Sequence, residues 1–226
     1  MKNQLKNLLG LTLALLLFSC GDDDDDNSEC IEASGPVTTE ERVVDNFSSI
    51  RFNGVGNLLL TQGAPQSVEL VTNENILELI ETRVSSGTLI VGFVDDACIE
   101  GSIDQLDIVV TVPEIETLAL EGVGNITGEN DFDLDALSIE LDGVGNVILS
   151  GTVTNLEIAS TGVGNVQAFD LESDICEVNL TGVGSVSVTV NSELDVNLTG
   201  AGSVRYKGRP TISSSISGTG SLIDAN

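Results

Sequence analysis

Gly122-Val123-Gly124-Asn125, Gly143-Val144-Gly145-Asn146 and Gly162-Val163-Gly164-Asn165 repeat one tetrapeptide at intervals of 21 and 19 residues, and the fold follows from what that repetition requires. The series continues as Gly182-Val183-Gly184-Ser185, Gly200-Ala201-Gly202-Ser203 and Gly218-Thr219-Gly220-Ser221, at intervals of 20, 18 and 18 residues. One earlier member, Gly54-Val55-Gly56-Asn57, stands apart. Self-similarity at such a period marks a solenoid, in which each repeat is one coil that buries its apolar side only against its neighbours.

The flanking residues say what kind of coil. Leu118-x-Leu120, Ile139-x-Leu141, Val178-x-Leu180 and Val196-x-Leu198 precede the glycines; Val147-x-Leu149, Val186-x-Val188-x-Val190 and Val204-x-Tyr206 follow them. Alternation with period two, rich in β-branched residues, predicts short strands with one buried face and excludes helix. The unit is strand, Gly-x-Gly corner, strand, polar turn, repeated one strand spacing of about 4.8 Å higher. Two glycines are needed because the chain turns with φ > 0 and successive coils approach closely there. Stacking then aligns Asn125, Asn146 and Asn165 in a column continued by Ser185, Ser203 and Ser221. Their expected role is a hydrogen-bonded ladder, since Asn and Ser favour turns for local bonding without any ligand.

Residues before the regular repeats read as longer strands: Arg42–Val44, Ser49–Phe52, Leu58–Leu60, Val68–Val71, Thr88–Val91 and Asp107–Pro113. A candidate helical stretch lies at Asn75–Ile80, and Val94–Gln105 forms a larger excursion. Solenoids need atypical end coils to cover their edges, so this half is expected to cap the stack; a separate small domain is the alternative.

Phe47-Ser48-Ser49-Ile50-Arg51-Phe52-Asn53-Gly54-Val55-Gly56-Asn57, Gln66-Ser67-Val68-Glu69-Leu70, Gly87-Thr88-Leu89-Ile90-Val91, Val110-Thr111-Val112-Pro113 and the later glycine repeats together resemble the GIN-domain family of autotransporter-adhesin-like heads, found mainly in exported proteins of the Bacteroidota. The resemblance spans roughly Val43 to Leu222. It implies an all-β, right-handed parallel β-solenoid, a single-stranded β-helix with a less regular N-terminal half. It supplies no catalytic residues, and the adhesin label is itself an analogy to autotransporter heads.

The chain's beginning carries separate information. Lys2 and Lys6, an apolar run from Leu8 to Phe18, and Ser19-Cys20 give a charged region, a core too short to be a stable spanning helix, and a small-residue cleavage point. Leu17-Phe18-Ser19-Cys20 resembles the lipobox of bacterial lipoproteins, which implies lipidation of Cys20 and attachment to the membrane; an ordinary secretory peptide is the alternative. Several acyl chains on one cysteine suffice for lasting anchoring. Asp22 to Asp26 repel one another and bury nothing, so they predict an extended tether, and they also resemble a surface-export signal of Bacteroidota lipoproteins. The expected organisation is a signal peptide over 1–19, a tether over 20–36, irregular β structure over 37–115 and regular repeats over 116–226.

Thirty-six acidic residues face eight basic ones, a formal net charge of −28, and removal of the leader takes away Lys2 and Lys6 as well. Nucleic acid is therefore not an expected partner, whereas cations are attracted. There is no His, no Trp and one tyrosine, Tyr206, which removes the commonest general base and most stacking platforms. Besides Cys20 the cysteines are Cys30, Cys98 and Cys176. Cys176 reads as a core hydrophobe in a strand, while Cys30 and Cys98 lie in segments free to meet, so a Cys30–Cys98 bridge is expected, with two free thiols as the alternative.

Other motifs reduce to bland readings. Gly-x-Gly lacks the further glycine and helix of a nucleotide loop. Calcium-binding β-rolls place Asp after their glycines where this chain has Asn or Ser, so neither metal nor cofactor is expected. Asp131, Asp133 and Asp135, like Asp95 and Asp96, read as solvated acids rather than a sugar-cleaving pair. The row Glu121, Asp142, Thr161, Thr181, Thr199 and Ser217 reads as a solubilising one, and the sequons at Asn125, Asn179 and Asn197 as by-products of Asn-x-Thr strands. The resulting expectation is a non-enzymatic envelope lipoprotein, anchored at the outer membrane and surface-exposed, offering a solenoid to proteins or glycans. The alternatives are a polysaccharide-processing or glycan-capturing surface enzyme and a structural component stacking end to end.

Overall fold

A computed structural model describes residues 30–226. The reading of Cys20 and of the segments around it lies outside those residues. Within them the chain is almost wholly strand, with a single 3-10 turn at Leu77–Leu79 and no α-helix.

The first ten strands are β1 (Ile31–Glu32), β2 (Val37–Glu41), β3 (Ser49–Phe52), β4 (Val55–Gln62), β5 (Ser67–Asn73), β6 (Ile80–Ser85), β7 (Thr88–Phe93), β8 (Ile99–Glu100), β9 (Leu106–Val112) and β10 (Thr117–Leu120). They are followed by β11 (Val123–Gly128), β12 (Phe132–Leu141), β13 (Val144–Ser160), β14 (Val163–Leu180), β15 (Val183–Leu198), β16 (Ala201–Gly208), β17 (Thr211–Ile216) and β18 (Ser221–Asp224). From β10 onward every coil lies parallel on the one before, in the register that the tetrapeptides dictate. Gly124 pairs with Gly145 and Asn125 with Asn146; Gly145 and Asn146 pair in turn with Gly164 and Asn165, and Gly164 pairs with Gly184. The fold is a parallel β-solenoid.

The alternation seen in the sequence becomes the core. Leu118, Ile139, Ile158, Val178 and Val196 stack as one inward column, and Ile126, Val147, Val166, Val186 and Val204 as another, all with at most 1% of their surface exposed. β-branched side chains suit this packing because their single preferred rotamer interdigitates well between pleats. Each such burial stabilises by about 1.5–3 kcal/mol relative to exposure.

The N-terminal half departs from simple stacking in sequence order. β4 lies between β9 and β11, and β3 between β7 and β10, so the coil holding Gly54 is second in the stack and rests on a coil made later in the chain, from β7 and β9. That lower coil has the excursion Val94–Gln105 in place of a glycine corner. Its far side is finished by antiparallel strands: β6 beside β7 through the two-residue turn Ser86–Gly87, with φ of 53° and 78°, and β5 then β2 beside β9. Positive φ at both turn residues matches the twist of a tight hairpin. The expected strand Arg42–Val44 is absent, because pairing with β5 is made by β2, and Val43 stands 98% exposed. The candidate helix at Asn75–Ile80 amounts to the one 3-10 turn.

A disulfide joins Cys30 to Cys98 across 68 residues, and next to it β1 pairs in parallel with β8. At the other end β17 and β18 form the last half-coils, with every residue of β17 exposed.

Candidate interaction faces of the solenoid

Three rows run along the coils. The first is the amide ladder. Asn57 Nδ2 donates to Asp107 Oδ1 (3.0 Å), Asn125 to Asn57 Oδ1 (3.1 Å), Asn146 to Asn125 Oδ1 (2.9 Å) and Asn165 to Asn146 Oδ1 (2.9 Å). Ser185 ends it by donating to Asn165 Oδ1 from both Oγ (2.7 Å) and its backbone nitrogen (3.1 Å). At the base, Asp107 is held from its other oxygen by Gln105 Nε2 (2.7 Å). These partly buried amides spend their hydrogen bonds on one another, so the ladder stiffens the corner and leaves little for a ligand. Asp107 was invisible as a ladder member from sequence, since only the stacking order brings it under Asn57.

The corner itself is a close backbone crossing. Gly124, Gly145, Gly164 and Gly184 have φ between 147° and 158°, and a Cβ on any of them would run into the carbonyl of the glycine one coil below. Val55, Val123, Val144, Val163 and Val183, the residues between the paired glycines, point outward and stand 49–52% exposed as a narrow apolar ridge. Beside them Glu121, Asp142, Thr161, Thr181, Thr199 and Ser217 form an exposed row in which Thr161 Oγ1 donates to Asp142 Oδ1.

The third row follows the corner on the outer face. Thr127, Ile148, Gln167, Ser187 and Arg205 are paired register partners on successive coils. Here the unequal coil lengths matter. The coil that begins at Gly162 is two residues longer than the next, and the surplus is taken up where the β14–β15 register breaks between Ala168 and Glu172. The bulge thrusts Phe169 and Asp170 outward, and Thr189 Oγ1 fixes it by donating to the Phe169 carbonyl (2.7 Å). Between bulge and ladder lies an open groove of about 660 Å³, lined by Gln167, Phe169, Asp170, Ser187 and Arg205 among others. Lys207 Nζ stands 4.4 Å from the centre of the Phe169 ring, a cation–π distance. The sequence reading missed this groove; the signals available were the change from 20- to 18-residue intervals and the cluster Arg205, Lys207 and Arg209.

A second depression of about 320 Å³ lies on another face, lined by Glu116, Glu157 and Glu177 with Ser138 and Asn155. Asp131, Asp133 and Asp135 are exposed, as are Asp95 and Asp96, and Thr152 Oγ1 donates to Asp133 Oδ1 (3.3 Å). Among the described residues no three Cys, Asp or Glu side chains are grouped to hold a metal ion. Cys176 is free and buried; burial, helped by the neighbouring Glu177 charge, pushes its thiol up to about 12.

Residues 46–210 match the family model described as "Putative auto-transporter adhesin, head GIN domain". The chain is similar in structure to a "putative adhesin" of Bacteroides fragilis, with TM-score 0.75 and 29% identity over 85% of this chain and 98% of that one. It shares its fold with a "putative lipid binding protein" of Parabacteroides distasonis (TM-score 0.55, 23% identity, 87% and 100% covered) and with a "putative adhesin" of Parabacteroides merdae (TM-score 0.51, 18% identity, 87% and 99% covered). No curated protein matches it.

Proposed function

We propose that this chain, which belongs to the auto-transporter adhesin head GIN-domain family, is a non-enzymatic lipoprotein of the outer membrane that holds its solenoid outside the cell for adhesive contact with proteins or glycans. The observation that carries the reading is the relation between ladder and outer rows. Corner amides are consumed in holding the coils in register, so the stack is a stiff rod whose outward side chains recur at strand spacing along its length. Such a rod suits presentation of an extended surface better than enclosure of a reacting group.

The anchoring half of the proposal rests on Leu17-Phe18-Ser19-Cys20 and on the acidic run that follows. Protease shaving of intact cells tests both halves, with Cys20→Ala alongside the native chain. The native protein should fractionate with the membrane and be digested from outside, and the variant should leave the membrane fraction. Retention of the variant at the membrane would defeat the lipid anchor, and full protection of the native protein would defeat surface display. Adhesion is read separately, by coating beads with residues 30–226 and measuring capture on surfaces bearing glycans or matrix protein against beads coated with heat-unfolded protein.

A further inference from the structure

The molecule's charge is unevenly spent. The three ion pairs among the described residues belong to Arg42 with Glu40, Arg51 with Glu121 and Arg83 with Glu81. Among the described residues no carboxylate lies within ion-pair distance of Arg205, Lys207 or Arg209, although acids outnumber bases 36 to eight in the chain. All three sit on or just beyond β16, and Arg205 opens directly into the groove made by the β14 bulge. On a surface that repels anions almost everywhere, Arg205 and, over the Phe169 ring, Lys207 thus bring positive charge to this groove.

We propose that this groove binds an acidic saccharide, a sugar bearing a carboxylate; the assignment deepens the adhesive reading and rests on it. The Arg205 guanidinium offers a planar fork of donors that matches a carboxylate in two parallel bonds. Phe169 lends the groove an apolar wall against which the C–H groups of a pyranose pack, and Lys207, over the Phe169 ring, adds positive potential. Ser187 and Gln167 lie in the same row as Arg205, one and two strand spacings away, and donate or accept. Asp170 decides between classes of anion. Its carboxylate repels a polyanionic peptide or phosphate, but accepts hydrogen bonds from sugar hydroxyls, so a ligand rich in hydroxyls with one acid per ring matches the polar lining of the groove. The bulge that builds the site depends on the two surplus residues of one coil, a feature the stacking itself does not require.

The test is calorimetric titration of residues 30–226 with a galacturonic acid trisaccharide, a neutral galactose trisaccharide and a Glu-rich peptide. The acidic sugar should bind, and the other two should bind at least about tenfold more weakly. Arg205→Ala should weaken the acidic sugar about tenfold or more while Arg205→Lys recovers part of the loss, and Phe169→Leu should weaken it with the fold intact by circular dichroism. Arg83→Ala, remote and already paired, should leave it unchanged. Equal binding of the neutral sugar or of the peptide overturns the proposal, as does acidic-sugar binding indifferent to Arg205. If the trisaccharide does not bind but coated beads still adhere, the groove assignment alone falls; if the beads fail too, the adhesive reading falls with it.

Discussion

The carbonyl oxygen of Gly124 occupies the place where a Cβ on Gly145 would stand. Backbone meets backbone at this crossing, so no rotamer change relieves a methyl group placed there, and the φ of 152° at Gly145 is one that side chains avoid. Gly145→Ala should therefore cost about 4 kcal/mol or more, at the exceptional end for a single substitution. Gly63→Ala is the control, because its nearest neighbour is the Thr111 methyl at 3.4 Å, and it should stay within about 0.5 kcal/mol. Urea unfolding of the two variants decides the matter; similar midpoints would show that the corner does not hold the coils together.

Asn146 both donates to Asn125 and accepts from Asn165, so Asn146→Ala removes two rungs and leaves their partly buried partners unmet. The expected loss is about 2 kcal/mol. Asn146→Ser should lose about half as much, since Ser185 shows that a serine at this place in the coil reaches the amide below. Equal losses for Ala and Ser would assign the effect to packing rather than to the ladder.

Cys176 lies in register between Leu156 and Leu194, both buried. Its folded thiol keeps its proton up to about 12, against an ordinary value of 9.0. Between those values the unfolded chain has released a proton that the folded protein retains. The contribution of this thiol is therefore complete below pH 9 and declines as pH rises toward 12. A maleimide should leave the native protein unmodified at neutral pH and label it in urea, and Cys176→Val should flatten the alkaline fall in stability. Rapid labelling of native protein would contradict the burial.

Reduction of Cys30–Cys98 opens a loop of 68 residues that ties the N-terminal segment to the Val94–Gln105 excursion. The chain-entropy model puts the loss at about 4 kcal/mol. A Cys30→Ser, Cys98→Ser double variant should unfold at the same urea concentration as reduced native protein, and both well below the oxidised form. Indistinguishable midpoints for all three would mean that the bridge merely decorates the cap.

What could be read beforehand depended on whether the information was local. Glycine at Gly122, Gly143 and Gly162, with alternating Leu, Ile and Val on either side, names the corner, the inward face and the register together, because parallel stacking repeats the same local need in every coil. The placement of β7 and β9 beneath β3 and β4 was illegible, since that coil carries no glycine corner and nothing in Thr88–Val112 says which neighbour it will pair with. Pairing partners are a property of the whole sheet. The groove was hidden for a related reason: a two-residue surplus is readable from spacing, but its accommodation beside Phe169 instead of in a turn depends on where the register of the next coil lets it out.

The inverted order of the first two layers has a consequence for how the molecule is made. A chain that emerges from its amino end brings out the Gly54 layer with nothing beneath it, and only after Val112 has followed is there a finished base. From Thr117 onward each turn finds its template already in place, so growth is a zipper run from a completed platform. Adding or removing a whole turn at the far end would then leave untouched the foundation on which the rod stands.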